Sequence, residues 1–80
     1  MKIALDYDGT FTEDPQFWEA VIALAKQHHH DIRFVTLRED AELPIDCPII
    51  YTGMKPKGRY VIEYGWIPDV WIDDHPERIF

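Results

Sequence analysis

Four short apolar runs, at residues 2–7, 32–37, 48–51 and 70–72, punctuate this chain, separated by polar segments or segments of helical spacing. The runs are apolar through their middles rather than alternating, the pattern of strands buried on both faces of a parallel sheet. The order reads β-α-β-(short α)-β-α-β. Strands joined this way form an α/β domain with helices on both sides of the sheet, and right-handed crossovers leave few topologies. The expectation is a three-layer, Rossmann-like domain built on a short, mostly parallel sheet of about four strands.

The connections carry their own signals. Gly9-Thr10 breaks the first run. Asp14 is a candidate N-cap and Pro15 a first helical residue. Phe17, Trp18, Val21, Ile22 and Ala25 then recur at helical steps as one apolar stripe, which ends near residues 28–30. Residues 38–45 are a short polar connection with room for about one or two helical turns. Tyr60, Val61 and Tyr64 have helical spacing, with Gly65 at the stop. The tail, residues 77–80, has no assignable pattern.

With 80 residues the chain spans one domain, and chains near this length bury only about 60% of the surface they expose when unfolded. Even so, 46% of residues are hydrophobic, enough for a core and too many for a disordered segment. The one cysteine, Cys47, allows no internal disulfide and reads as a buried thiol. The apolar part of the N-terminus is three residues long, against roughly seven to fifteen in a signal sequence and roughly twenty in a membrane span, so a cytoplasmic protein with no membrane partner is expected. Eight basic against fifteen acidic residues give a net charge of −7, which disfavours long nucleic acid as a partner.

That acidity is concentrated where an α/β sheet binds ligands. Such sheets hold them at the carboxyl ends of their strands. Asp6 and Asp8 end the first run, Asp73 and Asp74 the fourth, Thr36 lies near the end of the second, and Lys55 follows the third. Asp6 and Asp8 are two apart, so an extended backbone projects both the same way. Two carboxylates so close repel unless a cation intervenes, and Mg²⁺ suits an all-oxygen set. A carboxylate there can attack phosphorus, a neighbour can trade protons with the leaving oxygen and with water, and Lys55, the Thr36 hydroxyl and backbone N–H groups at Gly9 and Thr10 can hold phosphate oxygens.

These residues resemble the four signatures of the haloacid dehalogenase (HAD) superfamily. Asp6-Tyr7-Asp8-Gly9-Thr10 is similar to the first, DxDGT. Phe34-Val35-Thr36 is similar to the second, an apolar strand ending in Ser or Thr. Lys55-Pro56 is similar to the third, and Trp71-Ile72-Asp73-Asp74 to the fourth. The resemblance implies a minimal HAD-like phosphatase over residues 1–80, requiring Mg²⁺ and hydrolysing phosphate monoesters. Asp6 would be nucleophile and metal ligand, and Asp8 general acid/base with its backbone carbonyl on the metal. Thr36 and Lys55 would hold the phosphoryl group, and Asp73 and Asp74 would complete the metal site. Lys57 is a rival for the role of Lys55.

The family usually inserts a cap after the first or third strand, and neither gap here holds one. Capless members tend to take large phosphorylated substrates or to be closed by a partner subunit. A homo-oligomer is therefore expected, with Trp18, Trp66 or Trp71 on its surface. Arg38, just past Thr36, is weighed as a substrate contact against a surface arginine beside Glu39 and Asp40. His75 reads as a loop residue rather than a substrate contact, and His28, His29 and His30 as a helix end rather than a metal site, since adjacent helical residues do not face one another. Two other readings compete: a non-catalytic Mg²⁺- or phosphate-binding module on the same scaffold, and a receiver-like domain, which would need an aspartate where the second and third strands offer Thr36 and Thr52.

Overall fold

The computed structural model of the chain describes residues 1–40 and 46–80. Its sheet has four strands, β1 (Lys2–Leu5), β2 (Asp31–Thr36), β3 (Ile49–Tyr51) and β4 (Val70–Ile72), with helices α1 (Pro15–Gln27) and α2 (Lys57–Tyr64) between them. The order across the sheet is β3-β2-β1-β4 and every pairing is parallel. The chain therefore starts in the middle, moves outward through β2 and β3, and crosses back to lay β4 on the other side of β1. The point where direction reverses lies between β1 and β4, the position at which open α/β sheets form a ligand crevice.

Side chains alternate across each strand. Leu5 and Phe34 pack with Ile22 and Ala25 of α1, while their neighbours Ala4 and Val35 pack with Val61 of α2 and with Trp66. The two helices thus cover opposite faces, an arrangement compatible with a Rossmann-like fold. Among the described residues no helix is long and apolar enough to cross a membrane.

The caps account for the helix limits. The Asp14 carboxylate accepts from the Phe17 N–H at 3.3 Å, with Pro15 in the first helical position. At the other end of α1, His29 adopts a left-handed φ of 64°, His30 N–H donates to Ala25 C=O at 2.9 Å and His29 N–H to Lys26 C=O at 3.0 Å. This is a Schellman stop, so the histidine run terminates a helix. Gly65, with φ 96°, ends α2 the same way, and Trp66 N–H donates to Val61 C=O.

Several expectations are corrected. β1 ends at Leu5 rather than at residue 7, because the carbonyls of Asp6 and Tyr7 accept from Phe11 and Thr12 and fold the chain into a turn and the 3-10 segment Phe11–Glu13. Phe17 is exposed, stacked edge-on against Trp18, and the buried stripe of α1 narrows to Ile22 and Ala25. On α2 the buried positions are Lys57, Gly58 and Val61, and Tyr64 is exposed. Trp66 is no surface residue: it is 4% exposed, donates its indole N–H to Asp31 at 3.0 Å and lies under the Arg33 guanidinium. The tail has structure, a 3-10 turn at Pro76–Arg78 followed by buried Ile79, whose carbonyl accepts from Gly58 N–H at 2.6 Å. Residues 37–39 form a bend, and the remainder of the short helix expected over 38–45 lies in part outside the described residues.

Candidate functional site

Leu5 pairs in register with Ile72, so Asp6 and Asp73 each stand one residue past the same rung, on the adjacent strands β1 and β4. Asp6 N–H donates to Ile72 C=O at 2.9 Å and fixes that alignment beyond the strand. One oxygen from each of Asp6, Asp73 and Asp74 lies within 4.8 Å of the others. All three line a cavity of about 180 Å³ together with Asp8, Thr36, Leu37, Lys57, His75 and Arg78.

Lys57 occupies the floor of this cavity. Its ammonium donates to Asp6 Oδ1 at 2.5 Å and to Asp73 Oδ2 at 2.7 Å, and all three side chains are nearly inaccessible. The Thr10 hydroxyl donates to the other Asp6 oxygen at 3.1 Å. Burial pushes the Asp6 carboxyl up to about 6, against the lowering pull of Lys57. Asp74, exposed and sharing a hydrogen bond with Asp6, is drawn below the ordinary carboxylate range. A dense negative centre, only partly offset by one ammonium, is what a hard cation neutralises, and the all-oxygen donor set of Asp6, Asp73 and Asp74 fits Mg²⁺.

Gly9 positions the third of these carboxylates. Its φ is +85°, and a Cβ there would stand 2.4 Å from Asp74 Oδ2. The missing side chain lets Asp74 approach the β1 loop. Neither Gly9 nor Thr10, the expected phosphate contacts, is among the residues lining the cavity. Gly9 N–H is taken by Thr12 Oγ1 at 2.9 Å, and Thr10 is buried on Asp6.

Asp8 is turned away from the acid triad. It receives two hydrogen bonds from the Arg38 guanidinium, at 2.8 and 2.7 Å, and these hold its carboxyl below the usual range. Arg38 also lies 5.4 Å from the Tyr7 ring centroid, and its N–H donates to Thr36 Oγ1 at 3.3 Å. Thr36 itself is buried at the C-terminal end of β2, facing the cavity.

Lys55 is outside the site. Its N–H and C=O both bond back to Thr52, at 3.2 and 2.9 Å, closing a turn, so α2 begins at Lys57 and the Lys55 side chain runs out over Tyr60. Lys57, the rival, is the lysine that meets the acids. Leu37 and Arg78 also line the cavity, although no sequence motif marks either as a site residue. Arg78 comes to the cavity only because the tail folds back after Asp74, and no periodicity in so short a segment signals that. His75 lines the cavity, its N–H bonded to Asp73 and its ring 3.0 Å from Glu77. No family model, curated protein or solved structure matches the chain.

Proposed function

We propose that the protein is a minimal, capless HAD-like phosphohydrolase that hydrolyses phosphate monoesters with Mg²⁺, using Asp6 as nucleophile. One observation carries this reading: a buried Lys57 bridges Asp6 and Asp73 at the crevice between β1 and β4, with Asp74 alongside. The four motif resemblances agree with it in chain order, with Lys57 replacing Lys55 in the third.

Asp6, Asp73 and Asp74 would hold Mg²⁺, which when bound supplies charge neutralisation for the carboxylates and the phosphoryl oxygens. An Asp6 oxygen attacks phosphorus while the bond to the leaving oxygen breaks, and Asp8 gives that oxygen a proton. Water then attacks the aspartyl-phosphate, Asp8 takes a proton from it, and Asp6 is released with inorganic phosphate. Lys57 keeps Asp6 ionised against its burial, and the Thr36 hydroxyl is within the cavity to meet a phosphoryl oxygen. Proton donation by Asp8 requires Arg38 to leave it. A substrate phosphate offers the guanidinium the same two-toothed partner, so substrate arrival and release of Asp8 are one exchange. The cavity is smaller than the roughly 300–1,000 Å³ of small-molecule sites, so it encloses a phosphoryl group and leaves the rest of the substrate outside.

The Asp8–Arg38 pair also supports a second reading, a non-catalytic Mg²⁺- or phosphate-binding module, since a carboxylate locked in that pair does no acid catalysis. One experiment separates the two. Phosphate release is followed over a panel of phosphate monoesters, with Mg²⁺ and with EDTA, beside Asp6→Asn. Turnover that needs Mg²⁺ and drops by orders of magnitude in Asp6→Asn establishes the hydrolase. Mg²⁺ binding with no turnover above the variant on any ester establishes the module.

A further inference from the structure

Lys55 and Lys57 stand two residues apart and face different cavities. Lys57 goes to the acids. Lys55 lines a second cavity, of about 310 Å³, with Pro56, Arg59, Tyr60 and Glu63. That volume lies at the lower end of small-molecule sites, roughly 300–1,000 Å³. Arg33, Arg38 and Lys57 are each tied to a carboxylate, whereas Lys55 and Arg59, like Lys2, Lys26 and Arg78, form no ion pair among the described residues. Glu63, one helical turn beyond Arg59, lines the same cavity and forms no ion pair with it among the described residues.

Between the two cations lies an aromatic face. Tyr60 is half-buried, braced from below by the Val61 and Trp66 cluster and from the side by Tyr64, whose ring stacks at 6.4 Å and 17°. The Lys55 ammonium is 5.9 Å from the Tyr60 centroid, at the outer limit of a cation–π contact, so it is lightly held and free to turn toward an anion. Two unpaired cations, a rigid ring and a nearby carboxylate in one concavity match the parts of a nucleotide.

We infer that this second cavity binds a nucleotide, with phosphate on Lys55 and Arg59, the base on Tyr60, and Glu63 accepting from ribose hydroxyls. The inference stands apart from the hydrolase reading, because it uses none of the acid cluster. The shared chemistry, a phosphate and a base one sugar apart, is offered both by a free nucleotide and by the end of a nucleic-acid strand.

The test is a titration of ¹⁵N-labelled protein, in EDTA, with adenosine 5′-monophosphate, adenosine, inorganic phosphate and a 5′-phosphorylated oligoadenylate. Saturable shifts at the amides of Lys55, Arg59, Tyr60 and Glu63 are expected, with the monophosphate binding at least about tenfold more tightly than adenosine or phosphate alone. Arg59→Gln should weaken it about tenfold, and Tyr60→Leu should weaken it about tenfold while leaving phosphate unchanged. Should Tyr60→Leu not fold, Arg59→Gln, on an exposed side chain, decides the matter. Tighter binding of the oligonucleotide at these amides identifies a strand end as the ligand, and tighter binding of the mononucleotide a free one. Shifts confined to the Asp6 cavity, no saturation, or monophosphate binding no tighter than phosphate overturns the inference.

Discussion

The Lys57 ammonium stands 2.5 Å from Asp6 Oδ1, with each side chain only 7% exposed. Burial leaves both charges dependent on each other and on Asp73, which Lys57 also holds. Removing the cation by Lys57→Met strands two buried carboxylates, and breaking a buried pair in this way costs about 3–5 kcal/mol. Urea midpoints in EDTA should fall accordingly. Mg²⁺ should recover part of the loss, because a second cation serves the same oxygens, and it should raise the midpoint of Lys57→Met more than that of the unaltered protein. Lys55→Met should leave the midpoint nearly unchanged in both conditions. Equal effects from the two lysines would refute this account of the acid cluster.

Gly9 and Asp74 make the second prediction. At φ +85° an alanine is strained, and its Cβ would meet the Asp74 carboxylate at 2.4 Å. Gly9→Ala should lower stability by about 1–2 kcal/mol and push Asp74 off the triad. Thermal melts read the first effect and Mg²⁺ titration the second, with weaker binding expected. Unchanged Mg²⁺ affinity would remove Asp74 from the metal set.

Much of this architecture was legible in the residue order. The strands announce themselves as apolar runs, and the Asp14-Pro15 start and Gly65 stop of the helices are local chemistry that tertiary packing did not override. The acids at strand ends were legible because parallel topology converts sequence position into spatial position. What escaped was set by contacts distant in sequence or by turn closure. Which lysine reaches Asp6 depends on the Thr52–Lys55 hydrogen bonds, which close a turn around Lys55 before α2 begins at Lys57. Trp66 is buried because Asp31, thirty-five residues earlier, accepts its indole N–H. Arg78 reaches the cavity because Ile79 anchors the tail on Gly58. The turning of Asp8 toward Arg38 reflects a pairing thirty residues apart that no local pattern encodes.

Arg38 provides the third prediction. Its pair with Asp8 is exposed on both sides, and such pairs contribute about 0–1 kcal/mol. Arg38→Gln should therefore leave the melting temperature almost unchanged. Under the proposed function it should raise KM for phosphate monoesters about tenfold or more, since a guanidinium that grips a carboxylate by two bonds grips phosphate likewise. Arg38→Lys should recover little of this, because a point charge lacks the planar fork. A large loss of stability with KM unaltered would assign Arg38 a structural role.

The last prediction concerns pH and lies far from the acid cluster. Asp31 receives two hydrogen bonds from Arg33, at 3.0 and 3.1 Å, and one from the Trp66 indole at 3.0 Å. Arg33 first, and Trp66 after it, hold its carboxyl below the ordinary value of 3.8. A depressed folded-state pKa means that the unfolded chain takes up the proton more readily. The stabilisation is therefore present above the ordinary carboxylate value and is lost as pH falls through the lower folded one. The side chain is 42% exposed, so solvent limits the contribution to about 1 kcal/mol or less. Asp31→Asn should lower the urea midpoint modestly at neutral pH. The gap between variant and unaltered protein should close as pH is taken below the ordinary carboxylate value. A gap that persists undiminished in acid would mean that Asp31 does not stabilise the fold through its charge.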